Sequence, residues 1–188
     1  GISKAKIILN EKDYHGKEIL NKFLSSDVYK LNSDVHNIIF IDGNLAYFDN
    51  TNNLIISSSV RLDTESCSDA LSSLNNACCT NKILISIGKD TRLNQPLVIT
   101  YLHTKNVKGT VINYNLTLVL NRFSQFTVKE NFISLDNIYS AGNVITKLEL
   151  KEGATCVHDM ISSNSSSYIL TTHKVKILAS RNAKYKTF

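Results

Sequence analysis

Cys156 and His158 stand one residue apart, so on a strand both face the same way, together with Ala154 and Met160. A thiol and an imidazole on one face can hold a soft metal ion or a sulfur species. Two ligands do not complete a site, and the plainer reading is that these four side chains fill an interior row. His173 is a further imidazole, but nothing in the spacing places it beside them. Cys156 and His158 are thus weak metal-ligand candidates, and no catalytic or cofactor-binding residue accompanies them.

The other reactive groups offer less. Cys78 falls on an apolar helical stripe and reads as a small core residue, and its neighbour Cys79 has no visible base. With Cys67 they form no C-x-x-C pair and no zinc-type spacing. Glu149 and Glu152 are close in sequence, but a strand running into a turn does not aim them at one point. The seven glycines form no phosphate-binding loop, and no H-E-x-x-H or G-x-S-x-G motif is present. Asn115-Leu116-Thr117 and Asn164-Ser165-Ser166 match the glycosylation pattern, which matters only in a secreted chain.

These residues are carried by a chain of 188 residues, 43% hydrophobic, with a net charge of +5. That length supports one domain with a real core. The densest basic cluster is Lys174, Lys176, Arg181, Lys184 and Lys186. On a strand Lys174 and Lys176 share one face and Val175 and Ile177 the other, the pattern of a solvated strand face, so no nucleic-acid partner is expected. The cysteine inventory reads as reduced and cytoplasmic. No apolar run reaches the ~18 residues of a membrane span, and no secretory signal opens the chain. The missing initiator Met suggests a removed tag or a piece of something longer.

Two helices are expected. Residues 12–31 carry Ile19, Leu20, Phe23, Leu24, Val28 and Leu31 at helical steps behind Asp13 as N-cap. Residues 66–79 carry Ala70, Leu71, Leu74, Ala77 and Cys78, with Ser66 and Asp69 as a capping box. Between them, Asp42-Gly43 separates Ile38–Ile41 from Leu45–Phe48, a hairpin signal. Turn-forming Asn50, Asn52 and Asn53 precede a short strand, Leu54–Ile56. From Ile83 the helical period stops. Short strands follow at Ile83–Ile87, Leu97–Tyr101, Leu116–Leu120, Gln125–Glu130, Val144–Leu150, Ala154–Met160, Ser167–Thr172 and Lys174–Ala179. Among their connections are Gly142-Asn143 and residues 162–167. Such a run means a sandwich, a barrel or a solenoid. No clean fixed period is visible, which tells against a regular solenoid and leaves a degenerate β-helix open.

The stretch Leu74–Tyr101, "LNNACCTNKILISIGKDTRLNQPLVITY", resembles the entry to the core of the SufB/SufD family of iron–sulfur cluster assembly proteins. The family pattern is a Leu-Asn helix end, a short apolar strand, a polar turn and a strand opened by Pro-Leu. Upstream, "IIFIDGNLAYFDN" is similar to the family's apolar run and turn, with Asp42 in place of Asn. Downstream, "GNVITKLELKEGATCVHDM" resembles a family rung, with Lys147 where an acidic residue is frequent. The likeness spans residues 35–188 and rests on spacing and character. The turn at Leu93-Asn94-Gln95-Pro96-Leu97 is most like the SufD branch.

The resemblance implies a mainly β chain: a right-handed parallel β-helix, partial, preceded by a small α/β N-terminal region. It divides the chain into residues 1–80, helical and hairpin, and 81–188, the β-helix core. It implies a non-enzymatic, cytoplasmic scaffold subunit that pairs with SufB and the ATPase SufC. The iron–sulfur cluster belongs to the full complex, and no cofactor is assigned to these residues. The main partner-binding regions would lie beyond Phe188, leaving an open end that could self-associate. A secreted carbohydrate-acting β-helix enzyme and a β-rich surface or adhesin module are the alternatives.

Overall fold

A computed structural model describes residues 6–7, 14–25, 34–49, 54–59, 69–79, 82–135, 139–162 and 168–188. The chain is mainly β, a parallel β-solenoid of about three turns preceded by a small α/β region. Its elements in order are β1 (Lys6–Ile7), α1 (Tyr14–Leu24), β2 (His36–Ile41), β3 (Asn44–Phe48), β4 (Leu54–Ser59), α2 (Ala70–Cys78), β5 (Lys82–Ile87), β6 (Leu97–His103), β7 (Val111–Leu120), β8 (Gln125–Ser134), β9 (Tyr139–Leu150), β10 (Thr155–Ser162), β11 (Tyr168–Ala179) and β12 (Lys184–Thr187). One 3₁₀ turn, Lys105–Val107, follows β6.

Two sheets face each other. The first runs β1-β3-β2-β6-β8-β10-β12 and the second β11-β9-β7-β5-β4. From β5 onward the strands alternate between the sheets, and each pairs in parallel with the strand one coil away. The hairpin β2–β3 joins the first sheet through β2 parallel to β6, and β4 closes the second sheet antiparallel to β5. Asp42 and Gly43 make the hairpin turn at φ 48° and 90°, the left-handed pair that lets two strands reverse tightly.

The interior between the sheets is one apolar core. In the first sheet Leu97, Ile99 and Tyr101 point inward, and in the second Ile85, Leu118 and Leu148. This is the period-two alternation of strands with one buried face. Phe40, Tyr101 and Phe132 are register partners on adjacent strands. Their rings stack in a ladder, with centroids 5.5 Å and 4.6 Å apart. A second, smaller core lies outside the first sheet, where Leu20 and Phe23 of α1 pack on Ile39, Ile41, Ala46, Tyr47 and Leu102.

Several expectations need correction. The first helix is Tyr14–Leu24 rather than residues 12–31, and Asp13, Val28 and Leu31 lie outside the described residues. The strands read as Ser167–Thr172 and Lys174–Ala179 are one strand, β11; His173 and its neighbours keep pairing with β9, so no break is needed. Gly142-Asn143 is no connection but lies inside β9. Gly142 suits that place because an added Cβ would sit 3.3 Å from the Phe132 ring. Asn50, Asn52, Asn53 and residues 163–167 lie outside the described residues.

The second helix is inverted relative to its expected stripe. Its N-cap is Asp69, whose carboxylate accepts from the Ser72 amide at 2.8 Å; Ser66 lies outside the described residues. Ser72 and Asn75 are buried, while Leu71, Leu74 and Cys78 are exposed. The cause is the surface beneath. Asn75 donates to the carbonyls of Tyr114 and Asn143, and Asn143 donates to Leu71 O. Asn143 also donates to Asn113 and accepts from Thr172, a polar ladder across three strands. Such a face takes the polar side of a helix, because its amides need partners. Asn115 belongs to this seam, buried and donating to Asn75 and Asn76, so it is closed to glycosylation in the fold. Lys174 fastens the arrangement through Asp69 and Ser72.

A period exists that residue identities hide. Lys82 pairs with Asn115, Val111 with Ala141 and Tyr139 with Tyr168; opposite, Leu97 pairs with Val128 and Val128 with His158. Each partner comes about 30 residues later, the length of one solenoid coil. The corner after β7, β9 and β11 repeats as a four-residue turn: Asn121–Ser124, Lys151–Ala154 and Ser180–Ala183, each closed from fourth to first residue. The third residue is left-handed every time: Phe123, Gly153 and Asn182, at φ 57°, 67° and 58°. What recurs is a backbone conformation and a small fourth residue, not a sequence motif.

Candidate functional site

The solenoid brings together residues that the sequence left scattered. Ala154 at the corner and Cys156 and His158 on β10 are fully buried and point between the sheets, as the interior-row reading holds. Met160, expected in the same row, is 43% exposed. Burial pushes the Cys156 thiol up to about 12, so it is a neutral, weakly nucleophilic group. His173 reaches His158 across the interior, with ring centroids 5.9 Å apart.

Between the two imidazoles lies Glu130 of β8, fully buried. His158 Nε2 is 2.8 Å from Glu130 Oε1 and His173 Nε2 is 3.6 Å from the same oxygen. Tyr101 donates to Oε2 at 2.7 Å and Thr146 donates to Oε1 at 3.2 Å. Tyr185 lies 3.0 Å from His158 Nδ1. Six strands thus each contribute one group: β6, β8, β10 and β12 from one sheet, β9 and β11 from the other.

With both rings neutral, the hydrogen bonds place the protons of this network. An ionised carboxylate only accepts, so His158 donates from Nε2. Thr146 spends its hydrogen on Glu130, so its oxygen accepts from His173 Nε2 at 2.9 Å. Tyr185 accepts from Thr187 and donates to His158 Nδ1. His173 Nδ1 is left as a buried lone pair with no partner among the described residues. Burial pushes Glu130 up, but the His158 bond, the attraction to either imidazole when it is protonated and the Tyr101 bond hold it below the usual carboxylate value. Burial lowers His173, against the pull of Glu130. Tyr101 is raised well above its usual value by burial and by the Glu130 charge.

A second buried polar group lies near the start of the coils. His103 Nδ1 is 2.7 Å from Ser140 Oγ, and His103 Nε2 is 3.0 Å from Tyr114 Oη. Burial lowers His103 to about 4, so it is neutral at pH 7. Asp42 accepts from the Thr104 amide and hydroxyl at 2.8 and 2.6 Å, tying the hairpin turn to the end of β6.

Sequence reasoning missed Glu130 altogether. It sits in an alternating strand where every second residue is inward: Phe126, Val128, Glu130, Phe132. A charged residue in phase with an apolar row was the available signal. Glu149 and Glu152 do diverge, Glu149 toward Lys147 and Lys151, Glu152 toward Arg122. Among the described residues no three His, Cys, Asp or Glu side chains are set to hold a metal ion. Glu130, His158 and His173 hold one another instead. A cleft of about 230 Å³ between α1 and the 3₁₀ turn is lined by Glu18, Lys22, Thr104 and Lys105, away from this network. No helix among the described residues is long and apolar enough to cross a membrane.

No protein-family model matches the chain, and no curated protein matches it.

Proposed function

We propose that this chain is a scaffold subunit of the SUF iron–sulfur cluster assembly machinery, of the SufD kind, working with SufB and the ATPase SufC in the cytoplasm and catalysing no step itself. The observation that carries the reading is where the similar residues fall. Leu74–Tyr101 supplies the last turn of α2, then β5, the first corner and β6, which is the opening coil of a parallel solenoid. "IIFIDGNLAYFDN" supplies the hairpin that leads into the first sheet.

The residues inside the coils fit a structural role. Glu130, His158 and His173 satisfy one another across both sheets, and Cys156 is held as a thiol. In this reading the cluster is cargo of the whole assembly, and the chain's own contribution is a rigid body on which partners sit. The test is affinity isolation of the tagged protein from its own cells, with SufB and SufC quantified by mass spectrometry. The proposal expects both in stoichiometric amount, and loss of aconitase activity at constant aconitase protein when the chain is depleted. Absence of both partners together with unchanged aconitase activity overturns it.

A further inference from the structure

The corner between the two sheets gathers charge that the sequence disperses. Residues 88–92, 121–125, 151–155 and 180–184 stack there coil on coil, joined by Asp90 N–H to Arg122 O, Phe123 N–H to Glu152 O and Gly153 N–H to Arg181 O, at 2.9, 3.0 and 3.1 Å. These stacked segments hold Lys89, Arg92, Arg122, Lys151, Arg181 and Lys184 against only Asp90 and Glu152. All six basic residues are exposed. Rungs of a parallel sheet lie about 4.8 Å apart, so the cations form a column of two stacks along the edge, Lys89, Arg122 and Arg181 in one, Arg92 and Lys184 in the other, with Lys151 beside them.

An aromatic ring stands in the middle of that column. Phe123 has φ 57° and is 51% exposed. A bulky residue is a rare occupant of left-handed backbone, and its counterparts in the next two coils are Gly153 and Asn182, the residues that suit it. Its ring lies over Gly153, where an added Cβ would be 2.5 Å from Phe123 Cδ1. The corner itself sets the left-handed backbone, and what is unusual is a half-exposed aromatic where the other coils place Asp90, Gly153 and Asn182.

We propose that this corner is a docking surface for an acidic segment of a partner protein, with an apolar side chain of that segment packed on Phe123. Guanidinium groups match carboxylates fork to fork, and Arg92 and Arg181 are exposed on coils before and after that of Phe123. The existing pairs are surface pairs open to exchange: Lys151–Glu149 at 3.1 Å, Arg122–Glu152 at 3.3 Å and Lys89–Asp90 at 3.5 Å. The single ring decides against nucleic acid, because it does not make the series of stacking platforms that a nucleic-acid strand uses. The inference does not depend on the SUF reading.

The test is fluorescence anisotropy of the intact chain with a labelled twelve-residue peptide of glutamates around a central Leu-Phe, and with a labelled dT12. The peptide should bind, and lose about tenfold in affinity between 50 and 300 mM salt, as screening of exposed charges requires. Arg181→Gln and Phe123→Asn should each weaken it by roughly fivefold. Asparagine suits the left-handed position, so Phe123→Asn keeps the fold and isolates the ring. No peptide binding, equal or tighter binding of dT12, or unchanged binding by Phe123→Asn would each overturn the proposal.

Discussion

The two ends of the solenoid interior are built on opposite principles. Around β5, β6 and β7 the inward rows are mostly apolar, with Ile83, Ile85, Ile87, Leu97, Ile99, Leu116 and Leu118 at most 2% exposed, and polar groups enter only at Tyr101, His103 and Tyr114. Around β8 to β12 the same inward rows carry Glu130, Thr146, His158 and His173. The backbone pairing is the same in both places, so it is side-chain chemistry that differs. An apolar row tolerates imperfection, since its contacts are non-directional. A polar row at equal burial is stable only as a closed set of donors and acceptors. One end therefore resists by bulk and the other by stoichiometry, and the two should fail differently.

The largest separation should come from Glu130→Ala. It leaves Tyr101, Thr146 and His158 without their acceptor, at a cost of about 3–5 kcal/mol, measured by urea unfolding. Leu118→Ala at the apolar end should cost about 2–5 kcal/mol as an ordinary cavity. The distinction appears on repair. Glu130→Met combined with His158→Phe should recover part of the loss, because it removes the demand of His158 and leaves only those of Tyr101 and Thr146 open. If the double variant is no better than Glu130→Ala, the closed-network description is wrong.

Acid should then strike the polar groups alone. His103 lies at about 4 and His173 below its usual value, so the unfolded chain binds more protons than the folded one as pH falls below 6.5. The stability held above 6.5 is lost on the way down, by on the order of 3 kcal/mol for His103 if its shift is fully expressed. Glu130, also held low, adds a further loss as pH drops through and below the normal carboxylate range. His173→Gln should flatten part of the slope between pH 6.5 and 5, while Leu118→Ala should move the whole curve without changing its shape. A parallel shift for both would remove the contrast.

Smaller effects refine the boundary of the network. Tyr185→Phe removes one hydrogen bond to His158 and should cost about 1 kcal/mol. Alkylation by iodoacetamide should label exposed Cys78 readily and Cys156 only on unfolding, since its thiol is buried and raised to about 12. Equal labelling of the two in the native protein would mean that the interior is open.

Much of the fold was legible from local pattern. Asp42-Gly43 between two apolar runs fixed the hairpin, and alternation placed the cores of β5 to β10. What could not be read depended on distant partners. The α2 stripe of Leu71, Leu74 and Cys78 follows the helical period, yet the helix turns its amides down because Asn113, Asn115 and Asn143 await it some 40 to 70 residues later. The coil period was hidden because each corner demands a left-handed residue, and Phe123, Gly153 and Asn182 meet that demand with unrelated side chains. Of the site, Cys156 and His158 were found as a pair on one face. Glu130 and His173 were not joined to them, since that needs the register of β8 with β10 and of β9 with β11.

The most direct measurement is long-range ¹⁵N–¹H NMR of the imidazole rings at pH 7. The network requires His158 and His173 both to carry their proton on Nε2, with Nδ1 of His158 hydrogen-bonded to Tyr185 and Nδ1 of His173 a bare lone pair. Two Nε2–H rings with distinct, slowly exchanging protons are the expected result. A proton on His173 Nδ1, or rapid averaging between tautomers in either ring, would contradict the account.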